Sequence, residues 1–278
     1  MTSPKPASSG ASDRPPIHGR AWLPEARTRA VVVIVHGFTE HSGRYEHVAQ
    51  ALNERGVAVH AADLRGHGRS GGQRAWIESF AEYLDDAERY VASVRRQNPN
   101  TPLFLLGHSM GGTIIAILAI ERRVNAQGLI FSAAALRVGA NLFPLLRRVA
   151  SVFSRIWPRL RVARMGCSRL SRDPANIQRF RDDPLVFHGR FPVRTGSEIL
   201  AAGERVWREA GAIGLPMLIL QGSGDRTVDP AGSQHLYNQA ASRDKTLKLY
   251  DGLYHDLFGE PEKEQVIGDL VDWIVARC

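Results

Sequence analysis

Between Leu103 and Ile120 the chain reads LFLLGHSMGGTIIAILAI: an apolar stretch of strand length, a break of glycines around one serine, and a second apolar run of helix length. Few folds accommodate this. A strand passing straight into a helix, both too apolar to face water, belongs in a parallel sheet covered by helices. Glycines at 107, 111 and 112 remove the Cβ atoms that would hold strand and helix apart, so the chain can turn sharply and lift Ser109 above the sheet. The turn also aims the first amides of the helix at whatever the serine hydroxyl attacks. Gly107-His108-Ser109-Met110-Gly111 is thus a G-x-S-x-G motif in the strand-turn-helix context that a nucleophilic serine requires. The alternative, a tight turn with a capping serine, leaves the downstream pattern unexplained.

The same alternation recurs on both sides. AVVVIVHG (Ala30 to Gly37) is a buried strand, YEHVAQALNERG a helix ending at Gly56, and VAVHAAD (Val57 to Asp63) the next strand. Phe80 to Gln97 spaces apolar or small residues at helical intervals and stops before Pro99. GGTIIAILAIERR is the helix after the serine and QGLIFSA a further strand. The rhythm then lapses for about eighty residues. It returns at PMLILQG (Pro216 to Gly222), a helix from Asp229-Pro230, the strand TLKLYDG and a terminal helix from Glu262 to Arg277. A gap of that length in a compact domain is an insertion rather than a loop. Its position predicts a cap over the carboxyl edge of the sheet, where α/β sheets bind ligands. The expected organisation is a flexible leader over residues 1–16, a core over 17–135 and 213–278, and a cap over 136–212.

A serine hydroxyl becomes a good nucleophile when a histidine takes its proton and an acid orients that histidine. In this architecture the partners follow in the order Ser, Asp/Glu, His. Asp225 lies just after the returning strand and His255 just after the last one, both on the edge that carries Ser109. Asp229 precedes Pro230 in an N-cap arrangement and is expected to start a helix. Asp63 precedes the serine and is expected to brace the LRGHGRSGG loop; Asp256 is expected to face water or a surface partner. His36, His41, His67 and His108 precede or adjoin the nucleophile and are expected to shape loops. Two amides complete the site by holding the oxyanion: that of Met110, after the nucleophile, and that of Phe38, after the first long strand. This chemistry requires no metal and no organic cofactor.

Composition narrows the setting. No stretch reaches the length of a membrane-spanning helix, and the Pro-, Ser- and Ala-rich first sixteen residues lack the apolar segment of a secretory signal. Two cysteines, Cys167 and Cys278, form neither a metal-like spacing nor a disulfide framework, so a reducing cytoplasm is the expected compartment. The net charge of +8 is concentrated: Arg137 to Arg194 holds thirteen arginines, no lysine and three acids. No nucleic-acid-binding module accompanies it, so a local surface role is expected rather than binding to DNA or RNA.

HGFTEHSGRYEHVAQAL, DLRGHGRSGG, LLGHSMGG, GSGDRTVDPAGS and YHDLFGEPE, in that order, resemble the monoacylglycerol lipase group of α/β-hydrolases, including bacterial members labelled lysophospholipase. The cap stretch SRDPANIQRFRDDPLVFHGRFPVRTGSEIL resembles bacterial members too, and the likeness runs from Ile17 to Cys278. It implies an α/β-hydrolase fold: a mostly parallel central sheet flanked by helices, with a helical cap inserted after the strand that follows the nucleophile helix. It also implies an ester hydrolase for lipids with one acyl chain and a polar head, with a triad falling on Ser109, Asp225 and His255. Glu40 and Arg44 are then candidates for the polar pocket that takes the glycerol end; the competing role is an ion pair that holds their loop. The sequence departs from the group at two points. Phe38-Thr39 replaces the small residues common after HG, placing a bulky ring where it is expected to crowd the acyl or alcohol subsite. Phe258 stands where some relatives carry a second histidine serving the alcohol pocket.

Within the cap, Leu142, Leu145, Leu146, Val149, Val152, Phe153, Ile156 and Trp157 recur at helical spacing, interleaved with Arg147, Arg148, Arg155 and Arg159. This predicts an amphipathic basic helix between Pro144 and Pro158. It either buries its apolar side on its own domain or lies against anionic lipid. Lysophospholipid or short-ester hydrolysis remains an alternative activity, and a non-catalytic binding module on a hydrolase scaffold an alternative of another class. Oligomeric state is left open.

Overall fold

The computed structural model describes residues 14–138 and 153–278. The chain enters through β1 (Gly19–Trp22) and passes to β2 (Ala30–Val35), α1 (Glu46–Asn53), β3 (Val57–Ala62), α2 (Ala81–Gln97), β4 (Leu103–His108), α3 (Met110–Ile120) and β5 (Gly128–Ser132). The inserted segment contributes β6 (Arg161–Ala163), α4 (Pro174–Asp182), β7 (Phe191–Pro192) and α5 (Val193–Glu209). The chain then closes with β8 (Met217–Gly222), α6 (Ala231–Gln239), β9 (Lys245–Tyr250) and α7 (Lys263–Val275). Seven strands form one sheet in the order β1-β3-β2-β4-β5-β8-β9. β1 pairs antiparallel with β3, and every other neighbour is parallel.

The continuous apolar strands follow from burial on both faces. Alternation sends Val31, Val33, Leu105, Phe131 and Ile219 to one side, where they meet α2, α3 and α6. Val32, Ile34, Phe104, Ile130 and Leu218 go to the other side, against α1 and α7. With a two-residue side-chain period, each strand supplies both cores at once. α3 lies so deep that Met110 to Ala119 are all buried, which explains a helix with no polar face. It stops at Ile120, short of the ERR that followed in the sequence-based expectation. Arg122 takes a left-handed φ of 55°, and the Arg123 N–H turns back to the Leu118 carbonyl at 2.9 Å.

The inserted segment rests on the core through α5, which packs against α3 and whose Ile199, Ala202 and Val206 join the first core cluster. Leu170, Phe180 and Val186 form a smaller cluster of their own, and β6 pairs with β7. The helix expected between Pro144 and Pro158 lies mostly outside the described residues. Of its described end, residues 153–156 are helical, and Phe153, Ile156 and Trp157 are exposed. Among the described residues no helix is long and apolar enough to cross a membrane.

Candidate active site

Ser109 sits between β4 and α3 with φ 50° and ψ −116°, a conformation that L-residues adopt only under constraint. The surroundings impose it. A Cβ on Gly111 would lie 1.9 Å from the Val35 carbonyl oxygen, and one on Gly107 would lie 2.4 Å from that of Gly111. Only glycine lets β2, β4 and the start of α3 converge this closely. The Ser109 N–H donates to the Ser132 carbonyl at 2.9 Å, tying the turn to β5.

Three expected residues meet here from three strand ends. His255 Nε2 lies 2.9 Å from Ser109 Oγ, and His255 Nδ1 lies 2.8 Å from Asp225 Oδ2. Asp225 Oδ1 accepts the N–H groups of Thr227 at 2.7 Å and Val228 at 3.0 Å, while Gln221 Nε2 donates to Oδ2 at 3.2 Å. Burial works against an ionised Asp225, but His255 and the two amides outweigh it and hold the carboxyl below the usual carboxylate range. Burial would likewise depress His255. Asp225 outweighs it, with Asp256 and Glu40 adding to the effect, and raises His255 above 6.5. A buried imidazole with raised basicity, hydrogen-bonded to a serine hydroxyl, is equipped to accept that hydroxyl's proton.

Opposite the imidazole, neither the Phe38 nor the Met110 N–H has an acceptor among the described residues. Gly37, just before Phe38, is pinned through both of its backbone polar groups. Gly37 N–H donates to Glu40 Oε1 at 2.6 Å, and His36 Nδ1 lies 2.7 Å from the Gly37 carbonyl. Because Leu64 N–H donates to His36 Nε2 at 2.9 Å, the ring proton of His36 must be on Nδ1. Thr39 is buried with a φ of 72°. For a β-branched residue this is a strained state, of order 1–3 kcal/mol. The Phe38 ring packs edge-on against Phe191 at 5.4 Å and His67 at 5.5 Å. It also lines the pocket over Ser109, together with Met165, Leu170 and Phe180 of the inserted segment.

Glu40 and Arg44 form an ion pair. Glu40 Oε1 also accepts the Tyr45 hydroxyl at 2.7 Å; Oε2 accepts Arg44 Nε at 3.3 Å. Burial opposes the Glu40 charge, yet His108, Arg44 and the Tyr45 hydrogen bond bring its pKa to about 2. Asp256 departs from the expectation of a water-facing side chain: its Oδ2 accepts Arg44 at 3.0 Å and Asn176 Nδ2 at 2.9 Å. Nothing local marks this, because Asn176 lies eighty residues away on α4. Glu40, Arg44 and Asp256 line both the pocket over Ser109 and an adjoining cleft of about 330 Å³, which Arg179 and Lys263 also line. Phe258 is buried in the core against Tyr45, and its carbonyl lies 2.7 Å from His47 Nε2.

The remaining expectations fall at neighbouring positions. Asp63 braces the glycine-rich loop, its carboxylate accepting from Ser42 and from the Arg69 N–H. Asp229 accepts the Ala231 N–H at 2.9 Å at the start of α6. His108 lies 3.1 Å from the Ser132 carbonyl through Nδ1, its ring 4.9 Å from that of His255. Among the described residues no group of His, Cys, Asp or Glu is placed to hold a metal ion.

A family profile described as serine aminopeptidase, S33, matches residues 26–262. The chain is 36% identical to a monoacylglycerol lipase of Mycolicibacterium smegmatis over 92% of its length and 91% of the relative's. It is 35% identical to a monoglyceride lipase of Rattus norvegicus over 93% of this chain and 86% of that one. The crystal structure of Paleococcus ferrophilus monoacylglycerol lipase superposes with a TM-score of 0.84 at 32% identity, covering 95% of this chain and 100% of that one. Motifs, sheet order and these likenesses agree, and the chain belongs to the monoacylglycerol-lipase-like group of the S33 α/β-hydrolases.

Proposed function

We propose that the protein hydrolyses the carboxylic ester of monoacylglycerol-type lipids through an acyl-enzyme. The observation that carries this is the continuous path Ser109 Oγ, His255, Asp225, at 2.9 and 2.8 Å, beside the amides of Phe38 and Met110, which have no acceptor among the described residues. Ser109 Oγ attacks the ester carbonyl as its proton passes to His255 Nε2; Asp225 orients the ring and stabilises its positive charge. The Phe38 and Met110 amides hold the oxyanion. Collapse transfers the proton from His255 to the departing alcohol oxygen, leaving an ester on Ser109. Water, deprotonated by the same histidine, then releases the fatty acid and regenerates the serine. The inserted segment 136–212 acts as the cap, its Met165, Leu170 and Phe180 facing the acyl chain. Glu40 and Arg44 form the polar wall on the alcohol side.

A second substrate class is favoured by one feature. In the adjoining cleft Glu40, Asp183 and Asp256 are each committed to protein donors, while Lys263 has no ion-pair partner among the described residues. A phosphate on a lysophospholipid head would meet Lys263 and Arg179 there. The same commitment argues against an aminopeptidase, which needs a free carboxylate for the substrate's amine. A cytoplasmic enzyme that reaches lipid at the membrane surface fits the basic cap.

The test is hydrolysis of monoacylglycerol, lysophosphatidylcholine and a short p-nitrophenyl ester by the wild type and Ser109→Ala. Monoacylglycerol should be preferred, and Ser109→Ala should lose at least about 10⁴-fold in kcat. Activity surviving in Ser109→Ala would overturn the assignment; preference for lysophosphatidylcholine would move the substrate to the second class.

A further inference from the structure

The cap does more than roof the pocket: it holds the loop that carries the Phe38 amide. Three contacts cross from cap to loop. The Phe187 N–H donates to the Thr39 carbonyl at 2.8 Å. His41 Nε2 meets Asp183 Oδ2 at 2.8 Å, and since Gly43 N–H donates to His41 Nδ1 at 3.1 Å, the imidazole proton lies on Nε2 and points at Asp183. The Phe191 ring packs against that of Phe38 at 5.4 Å. These contacts bracket Thr39, the residue held at φ 72°.

A threonine released from such a conformation returns to negative φ, because its branched Cβ crowds the backbone in the left-handed region. That rotation would swing the peptide next to Phe38. The Gly37 anchors to Glu40 and His36 hold the loop before Phe38, and Ser42, bound to Asp63 through its N–H at 2.8 Å and its hydroxyl at 2.6 Å, holds it beyond Thr39. Between these anchors the Thr39 carbonyl and the Phe38 ring are held by the cap.

We propose that Asp183 and Phe187 are positioning residues for the oxyanion hole: docked on His41 and Thr39, they keep Thr39 left-handed and the Phe38 N–H aimed at the developing oxyanion. The proposal rests on the Phe38 amide's role given above. It makes the cap part of transition-state stabilisation as well as substrate binding, so its loss should act on kcat more than on KM.

Glycine populates positive φ about as readily as negative, so Thr39→Gly should loosen the dependence on the cap. The experiment is a double-mutant cycle with Asp183→Ala and Thr39→Gly. It reads kcat and KM on a soluble p-nitrophenyl ester, and the inhibition constant of an alkyl trifluoromethyl ketone, which forms a tetrahedral adduct with an activated serine. In the wild-type background, Asp183→Ala should lower kcat by roughly tenfold, weaken the ketone by a similar factor and move KM less than about twofold. In the Thr39→Gly background the same change should cost less than about threefold. Asp183→Asn keeps an acceptor oxygen for His41 and should retain most of the kcat, which separates positioning from general damage to the cap. Losses confined to KM, a ketone constant that does not follow kcat, or additive effects in the cycle would overturn the proposal. If Ser109→Ala retained ester hydrolysis, the mechanism beneath it would fall first, and the proposal with it.

Discussion

In the proposed mechanism His255 is the residue on which rate and pH meet. It must be neutral to take the Ser109 proton, and Asp225, Asp256 and Glu40 together raise its pKa above 6.5. The acid limb of a kcat/KM profile is therefore expected above pH 6.5. Asp256→Asn removes one of the charges stabilising the imidazolium, so the limb should move to lower pH; an unmoved limb would show that Asp256 does not couple to His255. The same shift has the opposite sign for stability. Protonated His255 stabilises the fold fully below its ordinary 6.5, and that contribution is lost as pH rises through the raised native value. Asp225→Asn is a different case, because the ring loses the partner that sets its tautomer. A loss of about 10⁴ in kcat is expected.

At the scale of elements, the junction of β4 and α3 carries the site. A Cβ at position 111 would overlap the Val35 carbonyl of β2. Gly111→Ala must therefore push α3 away from the sheet or unwind its first turn, either of which also displaces the Met110 amide. A destabilisation of about 3 kcal/mol is expected from this overpacking, together with loss of activity. Thermal unfolding and turnover measured on the same sample check it: full stability with full activity would mean the turn can relax at no cost. This junction is also the element most fully legible from sequence, because its turn, its apolar flanks and its close approach all arise from adjacent residues.

For the whole molecule, two sets stand out among the described arginines of the inserted segment. Arg172 and Arg194 pair back to the core, with Glu260 and Glu262 and with Glu78 respectively. Arg155, Arg159, Arg161 and Arg164 are exposed among Phe153, Ile156, Trp157, Leu160 and Val162, which are exposed as well. An apolar patch rimmed by arginines suits an anionic lipid surface, each basic side chain adding about 1 kcal/mol. Co-sedimentation should thus be strong with phosphatidylglycerol vesicles and weak with phosphatidylcholine, and Ile156→Ala with Trp157→Ala should reduce it by about tenfold or more. Equal binding to both vesicles would remove the electrostatic part of this account.

The parallel sheet, the strained serine turn and the order Ser109, Asp225, His255 were readable from the chain because they rest on local chemistry: apolar runs of strand length, glycines where backbones must touch, and polar residues at strand ends. The expectation for Asp256 failed because its partners, Arg44 and Asn176, lie 212 and 80 residues away. The left-handed Thr39 and the cap contacts around it were equally invisible. No propensity announces a β-branched residue at positive φ, and the contacts that keep it there form only once a distant segment has folded over the sheet. Sequence alone determined which groups could do chemistry and in what order they come. Tertiary structure alone decided what aims them, because aim is set by packing between segments that spacing along a chain does not encode.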